Sequence, residues 1–399
     1  MLALALLGAA CGSGDISGRD APGSSRNNPG GVDNPRGNGN SPTGDRSDPA
    51  SNGAIGGSTT GNGNGNGTGS ADDDDSPLGG GRGGGNGSSS RGVVREDLIG
   101  DAGSLSTATS ISNDARIFTL PRAAVAVGQQ LAFVATDELI GARDREEVGA
   151  RSAIFLQRDD GRTPRALFTS ADLVSPIDID VSLDLRTLFV ADFAGGKGGL
   201  GAIVVAPVQG GSVSFAAEGF SPRSVTVGPE GEVFFSGIDP ASGQPGVFVL
   251  EGGNVRSLFV GAPLVDPSGI AVFADGRVLV ADSRAFDAAG DPLANEASIV
   301  LIEDGQASRF ASGFATGFPA GIALSRDEAT LLVSSESADR HDTLLLIDVA
   351  DPAAAPSAVT ASFSELQDAA GGLKRAHDKD EFSFVSLAAN GGGTVFRIE

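Results

Sequence analysis

Hydrophobic positions recur with a period of two in residues 267–283, PSGIAVFADGRVLVADS. Ile270 and Val272 alternate with a small residue, as expected for a β-strand with two different faces. Gly276 supplies the positive φ that a tight hairpin turn needs. Residues 278–280 are apolar at successive positions, which indicates a strand that is covered on both faces. The stretch therefore predicts a β-hairpin that packs between neighbours, because an isolated hairpin is marginal in water.

Related strand patterns recur from here to the C-terminus and back towards residue 115. The second strand of each unit is centred on an apolar residue, and the centres are 45 to 56 residues apart: Val134, Val190, Phe235, Val280, Val333 and Val385. That spacing is typical of the four-stranded blades of a β-propeller. The sixth unit ends at Glu399 after its third strand. The sequence thus predicts an all-β, six-bladed β-propeller closed by an N-terminal strand.

The missing fourth strand of the sixth unit is assigned to residues 115–120, ARIFTL, just before the first unit. Pairing between the two chain ends would remove the open sheet edges that invite aggregation. The predicted propeller then spans residues 115–399, and residues 93–114 form a lead-in segment of undefined structure.

The N-terminal part has a different character. Residues 1–11, MLALALLGAAC, join an apolar run to small residues before Cys11 and resemble the end of a bacterial lipoprotein signal. The resemblance implies lipidation of Cys11 and a place in the cell envelope, as an outer-membrane or periplasmic lipoprotein. The other interpretation is an apolar leader with an incidental cysteine. Residues 12–92 are rich in Gly, Ser, Asn and Asp and are predicted to be a disordered linker, because they bury too little apolar surface to offset chain entropy.

Composition narrows the function classes. The net charge is −23, from 51 acidic and 28 basic residues, which argues against nucleic acid as a partner. The chain has no Trp or Tyr, so flat platforms for sugars or bases are scarce. One Cys and two His exclude a disulfide framework and a Cys/His zinc site.

Two stretches carry a family resemblance. The motif of residues 267–283 resembles the NHL-repeat family, and residues 319–337, PAGIALSRDEATLLVSSES, resemble the senescence-marker/gluconolactonase-like family. Both families are six-bladed propellers. The lactonase resemblance implies a divalent metal, usually calcium, in the central channel, held by Glu, Asn and Asp side chains at the starts of first strands. Ser268 and Ala320 stand at two of those positions here, which counts against a hydrolase because neither suits a hard-cation ligand set.

Four aspartates are the remaining candidates for channel chemistry. Asp178 and Asp180 are the only carboxylates in the first strands, and they are weak candidates for metal ligands, with Ca²⁺ as the ion. The alternative is that they are satisfied polar groups between blades. Asp192 and Asp282 follow second strands. They either ring a channel cation or accept N–H bonds from their own loops.

No catalytic residue is assigned. His341 and His377 are each followed by an aspartate, but neighbours on a strand point to opposite faces and do not form a pair. The stretch around His377 aligns with a turn between first and second strands, which predicts exposure. The chain also lacks a nucleophile motif such as G-x-S-x-G.

Long connections between the second and third strands of the first and fourth units are the candidate binding surface. Loops on a rigid scaffold are where binding residues usually lie, although these could also be plain solvated insertions. Their candidate residues are Asp137, Glu138, Arg143, Asp144, Arg145, Arg284, Asp287, Asp291 and Glu296.

The function predicted from these patterns is a non-enzymatic, monomeric propeller that binds a protein or peptide on its loop-rich face. A lipid anchor and the linker would tether it to a bacterial envelope membrane. The alternative is a divergent gluconolactonase-like, metal-dependent hydrolase. No cofactor is required by the first hypothesis, and Ca²⁺ is the only one considered.

Overall fold

The computed structural model of the protein describes residues 94–100, 105, 107–112, 117–137, 151–158, 162–169, 173–286, 296–316, 320–336, 342–361, 370–387 and 393–399. These residues form 25 β-strands and one short 3-10 turn, Lys197–Gly199. No helix among them is long and apolar enough to cross a membrane. The predicted signal segment and linker, residues 1–11 and 12–92, lie outside the described residues.

The described part of the chain starts with two strands and continues with six antiparallel blades. The first strands are β1 (Val94–Gly100) and β2 (Thr107–Ser112). Blade 1 contains β3 (Phe118–Val127), β4 (Gln130–Asp137), β5 (Arg151–Arg158) and β6 (Arg165–Thr169). Blade 2 contains β7 (Pro176–Val181), β8 (Thr187–Asp192), β9 (Ala202–Pro207) and β10 (Ser214–Ala216). Blade 3 contains β11 (Ser224–Val227), β12 (Val233–Ile238), β13 (Pro245–Glu251) and β14 (Asn254–Val260).

The second half of the ring follows the same plan. Blade 4 contains β15 (Pro267–Val272), β16 (Val278–Asp282), β17 (Ala297–Glu303) and β18 (Gln306–Phe314). Blade 5 contains β19 (Ile322–Leu324), β20 (Thr330–Glu336), β21 (Asp342–Asp348) and β22 (Ser357–Ala361). Blade 6 takes β23 (Ala370–Arg375), β24 (Phe382–Leu387) and β25 (Gly393–Ile398) from the C-terminus. The first strand of each blade contacts the first strands of its two neighbours, so these six strands surround the axis.

The hairpin predicted from the hydrophobic pattern is the inner pair of blade 4. Ile270 of β15 pairs with Val280 of β16, and every residue of β16 is buried. Gly276 has a φ of 88° in the turn between them, as the tight connection requires. The repeat of this unit makes the molecule an all-β, six-bladed β-propeller closed by an N-terminal strand.

The closing strand is β2, and the prediction of residues 115–120 was wrong. Ser110 of β2 pairs with Phe396 of β25, and this pairing completes blade 6. The side chain of Phe118 is instead fully buried in blade 1, with its ring centroid 4.9 Å from that of Phe133. Phe118 and Leu120 of ARIFTL therefore belong to an innermost strand, whereas TATSIS of β2, rich in Ser and Thr, suits an outer edge.

β1 joins the outer edges of two blades. Its first half pairs with β2, through Val94 with Ser110, and its second half pairs with β22, through Ile99 with Thr360. Blades 5 and 6 consequently share one nine-stranded sheet. The two N-terminal strands lie within residues 93–114, the entry segment whose structure the sequence left undefined.

The core consists of six apolar clusters, one between each pair of neighbouring blades. This arrangement explains why strands such as β16 are apolar on both faces, since each face packs against a different blade. Phenylalanines are the largest fully buried side chains, and the ring centroids of Phe235 and Phe248 lie 5.2 Å apart in a stacked pair in blade 3. The interior is therefore a ring of blade interfaces around the axis.

Candidate functional site

Asp178 and Asp180 lie on the innermost strand of blade 2 and are both almost fully buried. Because they are two residues apart on β7, they share one face of the strand. Asp178 Oδ2 accepts hydrogen bonds from Ser224 Oγ at 2.5 Å and from Val225 N at 2.9 Å, both in β11 of blade 3. Its Oδ1 accepts the N–H of Ile179 at 2.9 Å. The carboxylate thus links the innermost strands of two blades.

Asp180 repeats this arrangement one step further along the strand. Its Oδ2 accepts hydrogen bonds from Thr226 Oγ1 at 3.1 Å and from Val227 N at 2.8 Å. His377 Nε2 lies 3.8 Å from Asp180 Oδ1 and 2.6 Å from the carbonyl oxygen of Val181. His377 is therefore half-buried against blade 2, and the expected exposure of its turn is wrong for this side chain.

Lys374 connects blade 6 to blades 2 and 3, neither of which is next to blade 6 in the ring. It lies on β23 of blade 6 and is buried, with an exposed fraction of 5%. Its Nζ lies 2.8 Å from Asp178 Oδ2 in blade 2 and donates to the carbonyl oxygen of Val225 in blade 3 at 2.6 Å. Because the innermost strands surround the axis, this side chain reaches across the channel. A buried charge requires an oppositely charged partner. Lys374 and Asp178 are partners of this kind for each other.

These residues do not fit a divalent cation. A hard ion such as Ca²⁺ takes six to eight oxygen ligands, and Asp178 Oδ2 already accepts three donors, one of them the Lys374 ammonium. Ser268 Oγ, at a position where the lactonase resemblance implies a ligand, instead accepts the N–H of Ala320 at 3.3 Å. Among the residues that the structure describes, no three His, Cys, Asp or Glu side chains converge as a metal site.

Asp192 fixes two loops of blade 2 on one face of the ring. Its carboxylate accepts N–H bonds from Val174 and Ser175, in the loop leading into β7, at 2.8 Å each. It also accepts the N–H groups of Ala194 and Gly195 in its own loop. A Cβ on Gly195 would lie 2.7 Å from the Asp192 carboxyl carbon, so only glycine fits there. The predicted use of this aspartate as a loop acceptor is confirmed.

Asp282 plays the same part in blade 4. It accepts the N–H groups of Val265 at 2.9 Å and Asp266 at 3.1 Å, and that of Arg284 at 2.8 Å. Burial raises the pKa of the Asp282 carboxyl, although these N–H bonds and Arg223 oppose the shift. In blades 2 and 4, a buried aspartate therefore accepts the backbone N–H of the valine that lies two residues before the innermost strand.

Exposed apolar side chains concentrate on this face. Loops leading into first strands and loops between second and third strands lie on the same side of an antiparallel blade; this side is called the loop face below. Four large apolar side chains exposed on its loops form the loop-face patch: Val174 (56% exposed), Phe193 (38%), Leu200 (59%) and Val265 (39%). The other exposed large apolar residues of the described part are Leu120, at the start of the inner strand of blade 1, and Leu183, in a turn on the opposite face.

Arg223 links the loop of blade 2 that carries Phe193 to the loop that carries Val265. The guanidinium carbon of Arg223 lies 5.7 Å from the ring centroid of Phe193, and the same guanidinium forms an ion pair with Asp266, next to Val265. Burial lowers the pKa of Arg223. Leu200 is joined to the same surface, since its carbonyl oxygen accepts the N–H of Ser221 at 2.8 Å. The patch thus runs over blades 2, 3 and 4.

The predicted loop residues are only partly within the described chain. Arg284 is exposed on the loop face, and Glu296 is half-buried just before β17. Asp137 ends β4, and its side chain is not described. The remaining predicted site residues lie outside the described residues: Cys11, Glu138, Arg143, Asp144, Arg145, Asp287 and Asp291. The structure therefore places only the base of these two loops.

Sequence reasoning missed Lys374 and the loop-face patch. Lys374 is the only lysine in a first strand, and Asp178 and Asp180 are the only carboxylates there. Because first strands surround the axis, these opposite charges could have indicated an ion pair at the axis. The patch had no periodic signal, because its residues lie in three separate loops. Its common feature in the sequence is only that Val174 and Val265 each lie two residues before the proline that opens a first strand.

Comparisons with known proteins support the fold. No protein-family model matches the sequence, and no curated protein matches it significantly. Among solved structures, a gluconolactonase from Xanthomonas campestris is similar with a TM-score of 0.50 and 15% identity, over 76% of this chain and 94% of that chain.

Two further solved structures match at lower similarity. TolB from Acinetobacter baumannii has a TM-score of 0.47 and 14% identity, over 69% of this chain and 65% of its own. A Bacteroides thetaiotaomicron protein of unknown function has a TM-score of 0.49 and 13% identity, over 77% and 76%. At these identities the likeness concerns the propeller fold alone, and the NHL resemblance stays a prediction.

Proposed function

We propose that this protein is a non-enzymatic binding propeller that holds a protein or peptide partner on its loop face. The observation that carries the proposal is the loop-face patch. Apolar side chains exposed together on one face of a soluble domain are typical of interaction surfaces. Aspartates hold the backbone of two of its members, Val174 and Val265, so the surface is rigid before a partner arrives. A preformed surface loses less entropy on binding.

The axis supports the same proposal. In the lactonase-like relatives that the sequence resembles, the channel is expected to hold a metal. Here the corresponding space contains the Lys374–Asp178 ion pair, and Asp180 is engaged by β11. These groups hold blades together and leave no described carboxylate available to a metal or a substrate at the axis.

The attachment to a membrane is part of the proposal and rests on the sequence. Lipidation at Cys11 and the linker of residues 12–92 would hold the propeller away from a bacterial envelope membrane. The divergent gluconolactonase-like hydrolase stays as the alternative, and a metal-content measurement discriminates between the two.

A photo-cross-linking experiment tests the binding face. A photoreactive phenylalanine analogue is placed at Phe193 or, as a matched control on the opposite face, at Leu183, and the full chain is irradiated in its native cells. We expect one defined partner cross-linked from position 193 and none from position 183. Val265→Asp should abolish that cross-link, since it places a charge in the patch, whereas Asp in place of the control Leu183 should not. Equal cross-linking from both positions, or insensitivity to Val265→Asp, would contradict the proposal.

A further inference from the structure

The loop between β8 and β9 of blade 2, residues 193–201, presents a single apolar side chain at its tip. Among the large apolar side chains that the structure describes, Leu200 is the most exposed, at 59%. Its neighbours Gly198 and Gly199 are also exposed, and a Cβ on Gly198 would meet no atom within 4 Å. The side chain of Leu200 therefore projects from backbone that carries no other bulky group.

The backbone of this loop tip is fixed at both ends by the segment that joins blade 2 to blade 3. The carbonyl oxygen of Leu200 accepts the N–H of Ser221 at 2.8 Å and its hydroxyl at 3.0 Å. At the other end of the tip, the N–H of Lys197 donates to Glu218 Oε1 at 2.9 Å. Leu200 is thus presented in a fixed position, so little backbone entropy is lost when a partner binds.

The segment that holds Leu200 has an unfavourable backbone conformation. Ala217 and Ser221 have φ angles of 49° and 42°, in the left-handed region that non-glycine residues rarely adopt. The packing against the loop tip is also close, because a Cβ on Gly201 would lie 2.6 Å from the carbonyl oxygen of Phe193. Strained residues of this kind persist only where the surrounding structure imposes them, and they concentrate at functional sites. The fold thus maintains strain directly beside Leu200.

We infer that Leu200 is the anchor of the loop face and that it inserts into an apolar pocket of a folded partner protein. The inference rests on the proposed function and narrows the partner to a folded protein. A single projecting side chain is complementary to a concave surface, whereas an extended peptide would require a groove on this chain. Side chains that fill a pocket of the partner supply most of the binding energy of an interface.

Lys197 adds a charge to the same loop tip. It is exposed and lies three residues before Leu200. By charge complementarity, the pocket of the partner has a carboxylate at its rim. A charge at the rim of an interface acts mainly on the association rate and its salt dependence, whereas a buried apolar anchor acts on affinity. The two residues therefore have separable effects.

A turn on the opposite face supplies matched controls. Leu183 is 44% exposed there, and Arg186 is exposed three residues after it. This turn thus carries an exposed leucine and an exposed cation at the same spacing as the loop tip. Variants at Leu183 and Arg186 remove the same chemical groups without altering the loop face.

Binding measurements with the partner captured by cross-linking from position 193 test the assignment. Mass spectrometry identifies that protein, and calorimetry measures its affinity for the purified full chain. We expect Leu200→Ala to bind at least about tenfold more weakly, because most of the buried side chain is lost. Leu200→Met keeps the volume and should stay within about threefold of the parent. Leu183→Ala should bind as the parent does.

Stopped-flow mixing of the same two proteins tests the charge. Lys197→Glu should lower the association rate at low salt by at least about threefold, and Arg186→Glu should have a smaller effect. Equal rates for the parent and Lys197→Glu would overturn the assignment of a carboxylate at the rim.

A diazirine analogue of leucine at position 200 maps the surface that receives the anchor. We expect cross-links to apolar residues of the partner that come from segments distant in its sequence, as the lining of a folded pocket does. Cross-links confined to one contiguous stretch of the partner, or equal affinity of Leu200→Ala and the parent, would overturn the inference and leave the proposed function standing. A parent chain that captures no partner from position 193 would contradict the proposed function itself.

Discussion

The side chain of Lys374 forms an ion pair with Asp178, one of the two aspartates considered as metal ligands. Its ammonium contacts a carboxylate of blade 2 and a carbonyl of blade 3, although the residue itself lies in blade 6. The sequence was sufficient to single out Asp178 and Asp180, because no other first strand carries a carboxylate. It was not sufficient to pair Asp178 with Lys374, because that contact depends on how the ring closes.

Removing Lys374 should destabilise the whole propeller. In Lys374→Met, the carboxylate of Asp178 loses its buried counter-charge, and we expect the free energy of unfolding to fall by about 3–5 kcal/mol. The double variant Lys374→Met/Asp178→Asn should regain part of that loss, because the unpaired charge is gone. Chemical denaturation measures both.

Lys379→Met is the matched control. Lys379 contacts Glu381 at 2.6 Å, but its side chain is 49% exposed, and the buried Glu381 keeps Arg397 as a partner at 3.0 Å. Its removal should therefore cost about 1 kcal/mol or less. Equal stabilities of Lys374→Met and the parent would show that the axial ion pair contributes nothing.

Asp282 should make the fold respond to pH in an unusual direction. Burial raises its pKa in the folded protein above that of the unfolded chain, so the folded state binds the proton more tightly. Its contribution to stability is therefore fully present below the unfolded pKa, near 3.8, and is lost as the pH rises through the raised pKa. Between pH 7 and pH 4, the parent should gain stability relative to Asp282→Asn. Melting curves of both proteins over that range check this, and a parent whose stability relative to Asp282→Asn stays constant or falls between pH 7 and pH 4 would refute it.

Strand patterns were predictable from the sequence to different degrees. The hairpin of β15 and β16 was evident because alternation, the turn glycine and burial on both faces all agree. The closing strand was misplaced because apolar content was taken as the signal, and residues 115–120 are more apolar than β2. An outer strand buries little, so β2 pairs through its backbone and has little hydrophobic pattern to detect.

Ring closure by β2 predicts a sharp difference between two truncations. A chain that starts at residue 93 keeps β1 and β2 and should melt like the full chain. A chain that starts at residue 113 loses both strands and buried Leu105, and exposes the edge of β25. We expect its unfolding free energy to fall by at least about 3 kcal/mol, from the lost apolar burial and hydrogen bonds. Thermal melts of the two chains measure this, and identical curves would contradict closure by β2.

At the scale of the whole molecule, the loop face and the axis have different chemistry. The loop face carries the exposed apolar patch, and the Lys374–Asp178 ion pair lies at the axis. The fold could be predicted from repeat length, because blade size fixes the architecture. The loop-face patch could not, because its residues come from three separate loops.

We propose a binding propeller, whereas the sequence resemblance suggests a metal-dependent hydrolase. The most direct test is the metal content of the purified full chain, together with its melting temperature in calcium and in a chelator. A specific site filled at 100 times its Kd would stabilise the fold by about 2.7 kcal/mol. We predict no tightly bound calcium or zinc and the same melting temperature in both solutions. About one tightly bound ion per chain, with a melting temperature that rises in calcium and loses this rise in Asp178→Asn, would contradict the binding propeller and favour the hydrolase.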